Sequence, residues 1–570
     1  MSLFQVIRSP KVYEVCIVGS GAAGGAAAKV LTDQGFEVVM LEAGPMLDVS
    51  KHYTEHVWTY DLQHHGYGVG ASGYNGEGDR ELDVAHIGHT IQGEPYTSAP
   101  DSPFSWQRAR LLGGRTNHWS RVALRMSEAD FRQRSRHEVG SDWPISYQDL
   151  SPYYDKVENF IGVYGSIESL ASAPDGVFQT PPKPRCTDLM VKRGCDKLGI
   201  PCIPGRAAII TQRHNGRIPC HYCGQCTQGC VTASTFSSSQ VIIPQAQATG
   251  RLTVVPNAMA RELLIGKDGK VSGVAYVDKQ ARAERRVMAK AVILGASACE
   301  SARLLLNSRS SAFPNGAANS SGAVGHYLMD SSSTSVVGFY PQLTKLPPHN
   351  DEGTASVHMY VPWWGENNRN SFSGGYHIEL LNGRHMPGPN AFGTVARHFQ
   401  GFGSDLKKRC QELYGRTALL AVRGSMIPNE RSYCEIDPEV VDQWGIPVLR
   451  FHFKWSDDEI RMAKHMNENC KAIIEAGGGQ VISESGSPQS RYGYLGPGGV
   501  AHEVGTVRMG ASSKDSVLNG FCQAHDIKNL FVTDAGCFTT NPDKNPTLTI
   551  LALSWRAAEY LAEGAKRGEI

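Results

Sequence analysis

The segment Tyr13-Glu-Val-Cys-Ile-Val18-Gly19-Ser-Gly21-Ala-Ala-Gly24 carries the clearest structural signal in this chain. Its first six residues form an apolar, β-branched run of the kind found in a buried parallel strand. The glycine turn leads into an alanine-rich stretch that predicts a helix from Gly25 to about Gln34. A second apolar run, Glu37 to Leu41, ends at Glu42. Strand, glycine turn, helix, strand and acid in this order predict a Rossmann-like unit that binds a dinucleotide.

Each residue of this motif has an expected physical role. Gly19 permits the tight turn, Gly21 lets the backbone approach the pyrophosphate, and Gly24 lets the helix pack closely on the sheet. Amide groups at the helix N-terminus then face the phosphates. Glu42 is placed to accept hydrogen bonds from the adenosine ribose. The motif fits both NAD and FAD, and its position near the start of the sequence favours FAD.

Four cysteines lie close together in Cys220-His-Tyr-Cys223-Gly-Gln-Cys226-Thr-Gln-Gly-Cys230. Thiolates are soft ligands, and four in one short loop can converge on a single metal centre. The spacing matches the bacterial ferredoxin pattern, although Val231 stands where a proline usually follows. Structural zinc is the main alternative, although its ligands usually come from two separated hooks, and disulfides are a third reading. The spacing therefore favours an iron–sulfur cluster on these four cysteines.

Composition limits the classes of function. A chain of 570 residues is too long for one core and should form two or more domains. A net charge of +1 gives no reason to expect nucleic acid or an anionic membrane as a partner. No apolar run is long enough to span a bilayer, and no signal peptide is visible. The 14 cysteines predict folding in a reducing compartment.

Further segments carry motifs of one protein family. They are Arg110-Leu-Leu-Gly-Gly-Arg-Thr-Asn-His-Trp119, Trp143 to Tyr154, Ala291 to Leu305, His502-Glu-Val-Gly-Thr-Val-Arg-Met-Gly510, Thr533-Asp-Ala-Gly536 and Asn545-Pro-Thr-Leu-Thr549. Together they resemble the glucose–methanol–choline (GMC) flavoprotein oxidoreductases over nearly the whole chain. The resemblance implies an α/β (α+β) fold, in which a Rossmann-like FAD-binding domain is joined to a substrate domain built on an antiparallel sheet.

The same resemblance implies how the chain is divided. Residues 1–330 would form the first part of the FAD-binding domain and include the cysteine loop at 215–232. Residues 331–495 would form the substrate-binding domain. Residues 496–570 would return to the FAD-binding domain and bring the catalytic residues with them.

Oxidation of an alcohol by a flavin moves a hydride from carbon while the hydroxyl proton leaves. Histidine is the natural base for that proton, and His502 matches the family histidine that faces the flavin. Without the motif, His502 would be interpreted as a structural histidine. Asn545 matches its partner position, where an amide can hold the substrate hydroxyl but cannot take its proton. His118 matches a histidine that is covalently bound to the flavin in some relatives, and we expect noncovalent FAD here.

The resemblance also implies a set of flavin contacts from several parts of the chain. The expected contacts are Gly19, Gly21, Ala22, Ala23, Gly24, Glu42, Gly113, Gly114, Asn117, His118, Asp534, Ala535, Asn545, Pro546 and Thr547. Asp534 is expected beside the ribityl or pyrophosphate part of FAD.

Within the family, the cysteine run resembles the catalytic subunits of bacterial sugar dehydrogenases. That group passes electrons from FAD through an iron–sulfur cluster to cytochrome c, and a small companion subunit with a Tat signal escorts the folded chain. The three-iron cluster of the group uses cysteines that match Cys220, Cys226 and Cys230. Cys223 is additional, so [3Fe–4S] and [4Fe–4S] clusters both stay open.

The predicted function is an FAD-dependent dehydrogenase acting on C3 of a glycoside or on C1 or C2 of an aldose or aldonate. The protein would fold in the cytoplasm and either stay there or reach the periplasm by co-export. One alternative is an oxidase that uses O2 and holds structural zinc in the cysteine run. Another is a noncatalytic electron-transfer subunit, which would not need His502 and Asn545.

Overall fold

A computed structural model provides the fold. It describes residues 11–53, 55, 91–226, 229–346, 353–365, 371–382, 402–484 and 494–570. Thr227 and Gln228, which belong to the predicted cysteine loop, lie outside the described residues.

The strands of the described residues are β1 Val12–Val18, β2 Val38–Leu41, β3 Thr97–Ser98, β4 Ile203–Pro204, β5 Leu252–Val255, β6 Ala258–Ile265, β7 Val271–Asp278, β8 Ala283–Leu294, β9 Ser332–Phe339, β10 Met359–Val361, β11 Tyr376–Leu380, β12 Thr417–Gly424, β13 Tyr433–Val441, β14 Pro447–His452, β15 Gln480–Glu484 and β16 Leu530–Val532. The α-helices are α1 Ala22–Asp33, α2 Val49–His52, α3 Glu128–Phe131, α4 Gln133–His137, α5 Tyr147–Ile161, α6 Cys186–Leu198, α7 Ile243–Ala248, α8 Ala298–Asn307, α9 Gly403–Leu413, α10 Asp457–Ala476 and α11 Thr547–Lys566.

The first sheet joins distant parts of the chain. Its order is β5-β2-β1-β8-β7-β6, with β16 paired to β8. Strands β5, β2, β1, β8 and β16 are parallel, whereas β6 and β7 form an antiparallel extension. The predicted strand, helix and strand at the N-terminus are present as β1, α1 and β2. The chain therefore enters one dinucleotide-binding sheet three times, through β1, β8 and β16.

Helix α1 begins at Ala22, three residues earlier than predicted, because Gly24 lies inside it rather than before it. A Cβ on Gly24 would stand 1.9 Å from the carbonyl oxygen of Gly19, so only glycine allows this contact. Helix α11 packs beside α1 on the same core, which includes Ala27, Leu31 and Leu561.

The second sheet has the order β15-β9-β12-β11-β10-β4, and all its pairings are antiparallel. Helices α6 and α10 cover it, and their side chains form a separate apolar core with the strands. Val191 of α6, Val336 of β9 and Ile473 of α10 are fully buried there. The predicted combination of a Rossmann-like domain with an antiparallel substrate domain is confirmed.

The third sheet, β13-β14-β3, packs against the first sheet, although β13 and β14 lie in the range predicted to form the substrate-binding domain. Leu449 and Phe451 of β14 are buried in the core of the first sheet, although they fall inside the range 331–495. The domain boundaries at 330 and 495 stay a prediction, and this hairpin is attached to the FAD-binding side. Among the helices of the described residues, none has the length and apolar character needed to cross a bilayer.

Candidate active site

A cavity of roughly 350 Å³ opens at the carboxyl ends of β1 and β8, between the first and second sheets. Its wall combines the N-terminal glycine turn, strands β11 and β12, and the C-terminal return. The predicted flavin contacts that line it are Gly19, Gly21, Ala22, Ala23, Glu42, Gly114, His118, Asp534, Ala535, Asn545, Pro546 and Thr547. The folded chain thus brings together three segments that the sequence analysis assigned to FAD.

The glycine turn fits a phosphate-bearing cofactor. Gly19 has φ +94°, and a Cβ there would lie 2.4 Å from the carbonyl oxygen of Gly295. Gly21 is different, because an added Cβ would meet no protein atom within 4 Å. It caps helix α1 and lines the cavity, so its bare backbone faces open space at a helix N-terminus. This opening suits the pyrophosphate of FAD.

Glu42 is buried beside the turn. Its carboxylate accepts hydrogen bonds from the Ser20 amide at 3.2 Å, from the Gly44 amide at 2.7 Å and from the Ser20 hydroxyl. Burial raises the pKa of Glu42, although these hydrogen bonds oppose the rise. Glu42 therefore ties the end of β2 to the glycine turn, and its contact with ribose stays a prediction.

The second glycine loop places His118 on the cavity wall and Asn117 behind it. The Asn117 amide nitrogen donates to the carbonyl oxygens of Leu112 at 3.0 Å and Gly114 at 2.9 Å. Its Oδ1 accepts from the Tyr53 hydroxyl at 3.1 Å. Asn117 thus holds the loop in shape. Three predicted contacts, Gly24, Gly113 and Asn117, do not line the cavity in the described structure.

Asp534 connects β16 to the start of α8. Its carboxylate accepts from the Gly536 amide at 2.9 Å, the Ser297 amide at 3.1 Å and the Ser301 hydroxyl. Burial raises the pKa of Asp534 to about 6, while these hydrogen bonds act in the opposite direction. The group is placed on the wall by the ends of two parallel strands, as its predicted role requires.

His502 is held in one orientation at the cavity. Its ring Nδ1 lies 2.9 Å from the Ser331 hydroxyl, and its backbone amide donates to Asp330 at 2.9 Å. Burial, followed by the positive charge of Arg423, lowers the pKa of His502 to about 3. The imidazole is therefore neutral at ordinary pH, which is the protonation state that a base needs.

Asn545 faces the same cavity, and its amide orientation is fixed by Glu379. The Asn545 Nδ2 donates to Glu379 Oε1 at 3.0 Å. Burial alone would raise the pKa of Glu379, but Arg423, His377 and Asn545 together hold it at about 2. An ionised carboxylate only accepts hydrogen bonds, so Nδ2 must face it. The buried Oδ1 of Asn545 has no hydrogen-bond partner in the described structure.

The comparisons with known proteins agree with this geometry. Models of the GMC oxidoreductase family match residues 17–331 and 428–554. This chain belongs to the GMC oxidoreductase family. It is 30% identical over 555 residues to 2-methyl-1,2-propanediol dehydrogenase of Mycolicibacterium austroafricanum, covering 96% of this chain and 95% of that protein. It is 25% identical to the gluconate 2-dehydrogenase flavoprotein of Pantoea cypripedii, covering 98% and 95%.

A solved structure of an Aspergillus oryzae formate oxidase variant supports the fold. It matches with a TM-score of 0.64 at 14% identity and covers 98% of this chain and 100% of that chain. Membership of the GMC family identifies an FAD-dependent oxidoreductase that acts on CH–OH groups. The roles of individual residues in that reaction stay predictions.

The cysteine run of this GMC chain gives less support to a metal centre. The described residues contain no group of three or more His, Cys, Asp or Glu side chains that could hold a metal ion. As placed, Cys220, Cys223, Cys226 and Cys230 therefore do not fit the predicted iron–sulfur cluster.

The cysteine run nevertheless lies beside the glycine loop that is predicted to contact the flavin. The Cys230 carbonyl accepts from Gln240 Nε2 at 3.0 Å, and the side-chain oxygen of Gln240 lies 3.1 Å from the Tyr53 hydroxyl. The same hydroxyl donates to Asn117 at 3.1 Å. This chain of contacts places the cysteines behind the loop that carries His118.

The sequence analysis missed the polar wall supplied by the second sheet. Glu379 of β11 and Arg423 of β12 line the cavity, and His377 of β11 lies 3.5 Å from Glu379; both β11 residues are almost completely buried. For the β11 residues, the local sequence shows only two ionisable residues in the strand Tyr376–Leu380. All the residues of that strand are buried in the folded chain. Buried charges are rare unless they are paired or functional, so this pattern marks a site only once the burial is known.

Proposed function

We propose that this GMC oxidoreductase oxidises a ring hydroxyl of a sugar or glycoside, at C3 of a glycoside or at C1 or C2 of an aldose or aldonate. The observation that carries the proposal is a neutral His502 together with an Asn545 carbonyl oxygen that has no hydrogen-bond partner among the described residues. Both line the cavity that holds the predicted flavin contacts. Glu379 and Arg423 extend this polar wall, as a substrate with several hydroxyl groups would need.

In this proposal, each side chain has a separate task. His502 accepts the proton of the reacting hydroxyl, and the Ser331 hydroxyl keeps its ring from rotating. Asn545 Oδ1 accepts a hydrogen bond from a substrate hydroxyl, because Glu379 holds its Nδ2 on the other side. FAD, when bound, supplies the acceptor for the hydride.

Two relatives whose names state a sugar or a sugar acid as substrate support this substrate class. They include the fructose dehydrogenase large subunit of Gluconobacter japonicus, at 24% identity, and gluconate 2-dehydrogenase flavoprotein. An oxidase is the second candidate. It is favoured by the similarity to C-glycoside 3-oxidase of Arthrobacter globiformis, at 22% identity, and it would hold structural zinc in the cysteine run.

The route of the electrons stays a proposal from the sequence. It would require an iron–sulfur cluster on the cysteine run, a cytochrome c as acceptor and a small companion subunit for export to the periplasm. The spacing of the cysteines and their place behind the flavin loop support this route. Their arrangement does not fit a ligand set, so we derive no electron step through them.

The test is an anaerobic substrate panel with the purified holoenzyme. D-Glucose, D-gluconate, methyl β-D-glucoside and 2-methyl-1,2-propanediol are each mixed with the enzyme, and flavin bleaching is followed. The proposal expects a sugar, the aldonate or the glycoside to reduce the flavin faster than the simple diol. Faster reduction by the diol would overturn the substrate class. Reoxidation by O2 and by cytochrome c, together with iron and zinc content, then decides between oxidase and dehydrogenase.

A further inference from the structure

Two side chains of opposite charge stand next to each other on the wall of the active-site cavity. Glu379 on β11 and Arg423 on β12 both line it. The register of these antiparallel strands pairs Glu379 with Ala421, which lies two residues before Arg423. Residues two apart on a strand share a face, so Glu379 and Arg423 are diagonal neighbours on the side of the sheet that faces the cavity.

The two side chains do not close into a tight salt bridge. Arg423 Nη2 lies 3.5 Å from Glu379 Oε2. In the buried pair of Arg303 and Asp442, by contrast, the corresponding distance is 2.8 Å. A separation of 3.5 Å is longer than a charge-assisted hydrogen bond. The side chain of Glu379 is 2% exposed and that of Arg423 is 19% exposed. The two ions therefore lie side by side without a hydrogen bond between them.

Other contacts hold the remaining atoms of both side chains. Arg423 Nη1 donates to the Ser333 hydroxyl at 2.6 Å and to the Val422 carbonyl oxygen at 3.1 Å. Glu379 Oε1 accepts from Asn545 Nδ2 at 3.0 Å. Within the described part of the chain, no hydrogen bond uses Arg423 Nη2 or Glu379 Oε2. One donor and one acceptor are therefore held next to each other at the cavity.

This arrangement fits the chemistry of a hydroxyl group. Burial alone would raise the pKa of Glu379, but Arg423 and His377 hold it at about 2, so the carboxylate is ionised. An ionised carboxylate only accepts hydrogen bonds, and a guanidinium only donates them. A hydroxyl does both, so one hydroxyl can donate to Glu379 Oε2 and accept from Arg423 Nη2. A carboxylate, an ammonium or a methyl group lacks at least one of these capacities.

The Glu379–Arg423 pair adjoins both groups that the proposed function places at the reacting hydroxyl. Asn545 is bonded to the carboxylate of Glu379. Burial first, and then the charge of Arg423, lower the pKa of His502, so Arg423 is close to that imidazole. A hydroxyl held between His502 and Asn545 therefore has the ion pair beside it. The substituent on the next carbon of the substrate is the group that can reach this pair.

We propose that Glu379 and Arg423 bind the hydroxyl on the carbon next to the one that is oxidised, so that the enzyme selects vicinal diols. The proposal rests on the proposed function, which places His502 and Asn545 at the reacting hydroxyl. It names the feature that an aldose, a glycoside and an aldonate share, a second hydroxyl beside the first. A substrate without that hydroxyl leaves a buried donor and a buried acceptor unsatisfied, so the site rejects it.

The test measures how strongly the FAD-loaded enzyme discriminates against substrates that lack one hydroxyl. The discrimination ratio is the second-order rate constant of anaerobic flavin reduction by the intact substrate divided by that of its deoxy analogue. The pairs are D-glucose and 2-deoxy-D-glucose, methyl β-D-glucoside and its 2-deoxy and 4-deoxy forms, D-gluconate and 3-deoxy-D-gluconate, and 2-methyl-1,2-propanediol and 2-methyl-1-propanol. The pair whose intact member reduces the wild-type flavin fastest is then used for every variant.

Two variants of one residue and a matched control separate recognition from damage to the fold. Arg423→Met removes the donor. Arg423→Lys keeps a positive charge beside Glu379 but loses the planar fork that can bond Ser333 and the substrate together. Arg450→Met is the control, because Arg450 lies 2.9 Å from the buried carboxylate of Asp437 and does not line the cavity. FAD content and the thermal midpoint are measured for each protein.

Wild type and Arg450→Met should show a discrimination ratio of at least about 100 for a hydroxyl next to the reacting carbon. The ratio should fall below about 10 in Arg423→Met and at least about threefold in Arg423→Lys. Because both rate constants come from the same protein, a general loss of activity does not change the ratio. If Arg423→Met does not hold FAD, the ratio of Arg423→Lys decides.

A wild-type ratio within about fivefold of unity for every neighbouring hydroxyl overturns the proposal. An unchanged ratio in the FAD-loaded Arg423 variants also overturns it, because other groups would then recognise the hydroxyl. If the simple diol reduces the flavin fastest and its ratio is at least about 100, the proposed sugar class fails and the role of Glu379 and Arg423 is supported. If no intact substrate reduces the wild-type flavin, both proposals are overturned.

Discussion

Replacement of Gly21 by alanine should weaken FAD binding and leave the stability of the fold almost unchanged. The added methyl group would meet no protein atom within 4 Å and would project at the N-terminus of α1, where the cavity begins. The backbone there has φ −66° and ψ −157°, which alanine adopts without strain. The structure therefore predicts that Gly21→Ala acts mainly on whatever occupies the cavity.

Two small and opposing effects determine the change in the free energy of unfolding. One larger effect determines the change in affinity for FAD. Alanine is a poorer N-cap than glycine by less than about 1 kcal/mol, and it lowers the entropy of the unfolded chain by about 0.4–1 kcal/mol. The free energy of unfolding of the apoprotein should therefore change by less than about 0.5 kcal/mol. A methyl group forced into a filled contact costs about 1–3 kcal/mol, so FAD should bind about 5- to 150-fold more weakly.

Gly35→Ala is the matched control. Gly35 has φ +93° with nothing within 4 Å of an added Cβ, and it lies at the far end of the same helix. It should lower the free energy of unfolding by about 1–2 kcal/mol and leave FAD affinity unchanged. The assay is thermal unfolding of deflavinated protein together with FAD titration by fluorescence quenching. Wild-type FAD affinity in Gly21→Ala would refute the assignment of this turn to the pyrophosphate.

Other predictions follow from the same geometry. Burial lowers the pKa of His502 to about 3, so the base stays neutral as the pH falls towards that value. In a stopped-flow pH series, kcat/KM should therefore show no acidic limb near pH 6.5, the ordinary pKa of histidine. An acidic limb at that pH that disappears in His502→Asn would contradict this. Asn545→Asp puts a carboxylate against ionised Glu379 and should lower kcat/KM at least tenfold, with FAD content as the control. Glu158→Ala removes the buried carboxylate of Arg125 and leaves it only the exposed Asp155 and the Tyr147 hydroxyl, so it should lower the free energy of unfolding by about 1–3 kcal/mol in urea titrations, while an unchanged midpoint would contradict that.

The sequence predicts the first sheet well because its signals are local. The glycine turn, the apolar strands β1 and β2 and the acid at Glu42 follow one another within a short segment, and each has a direct structural reason. The start of α1 was missed because the prediction extends the glycine turn to Gly24. Only the closeness of Gly19 shows that Gly24 is a helical residue on which close packing depends.

The second sheet could not be predicted to the same extent because its contacts join distant residues. His377 and Asp543 meet only after β11 and the C-terminal segment are placed side by side. Asn117 matches a family motif, but whether it faces the cavity or the loop behind it depends on its hydrogen bonds. The cysteine spacing predicted a cluster, yet spacing alone does not determine whether four thiols converge.

Anaerobic mixing of the FAD-loaded enzyme with the substrate panel tests the central claim most directly. The account predicts that a sugar, the aldonate or the glycoside bleaches the flavin band near about 450 nm in a single exponential phase. It also predicts that His502→Asn, with the same FAD content, bleaches at least about 100-fold more slowly. Equal bleaching rates in the two proteins would contradict the role of His502. An absence of bleaching by every member of the panel would contradict the proposed substrate class.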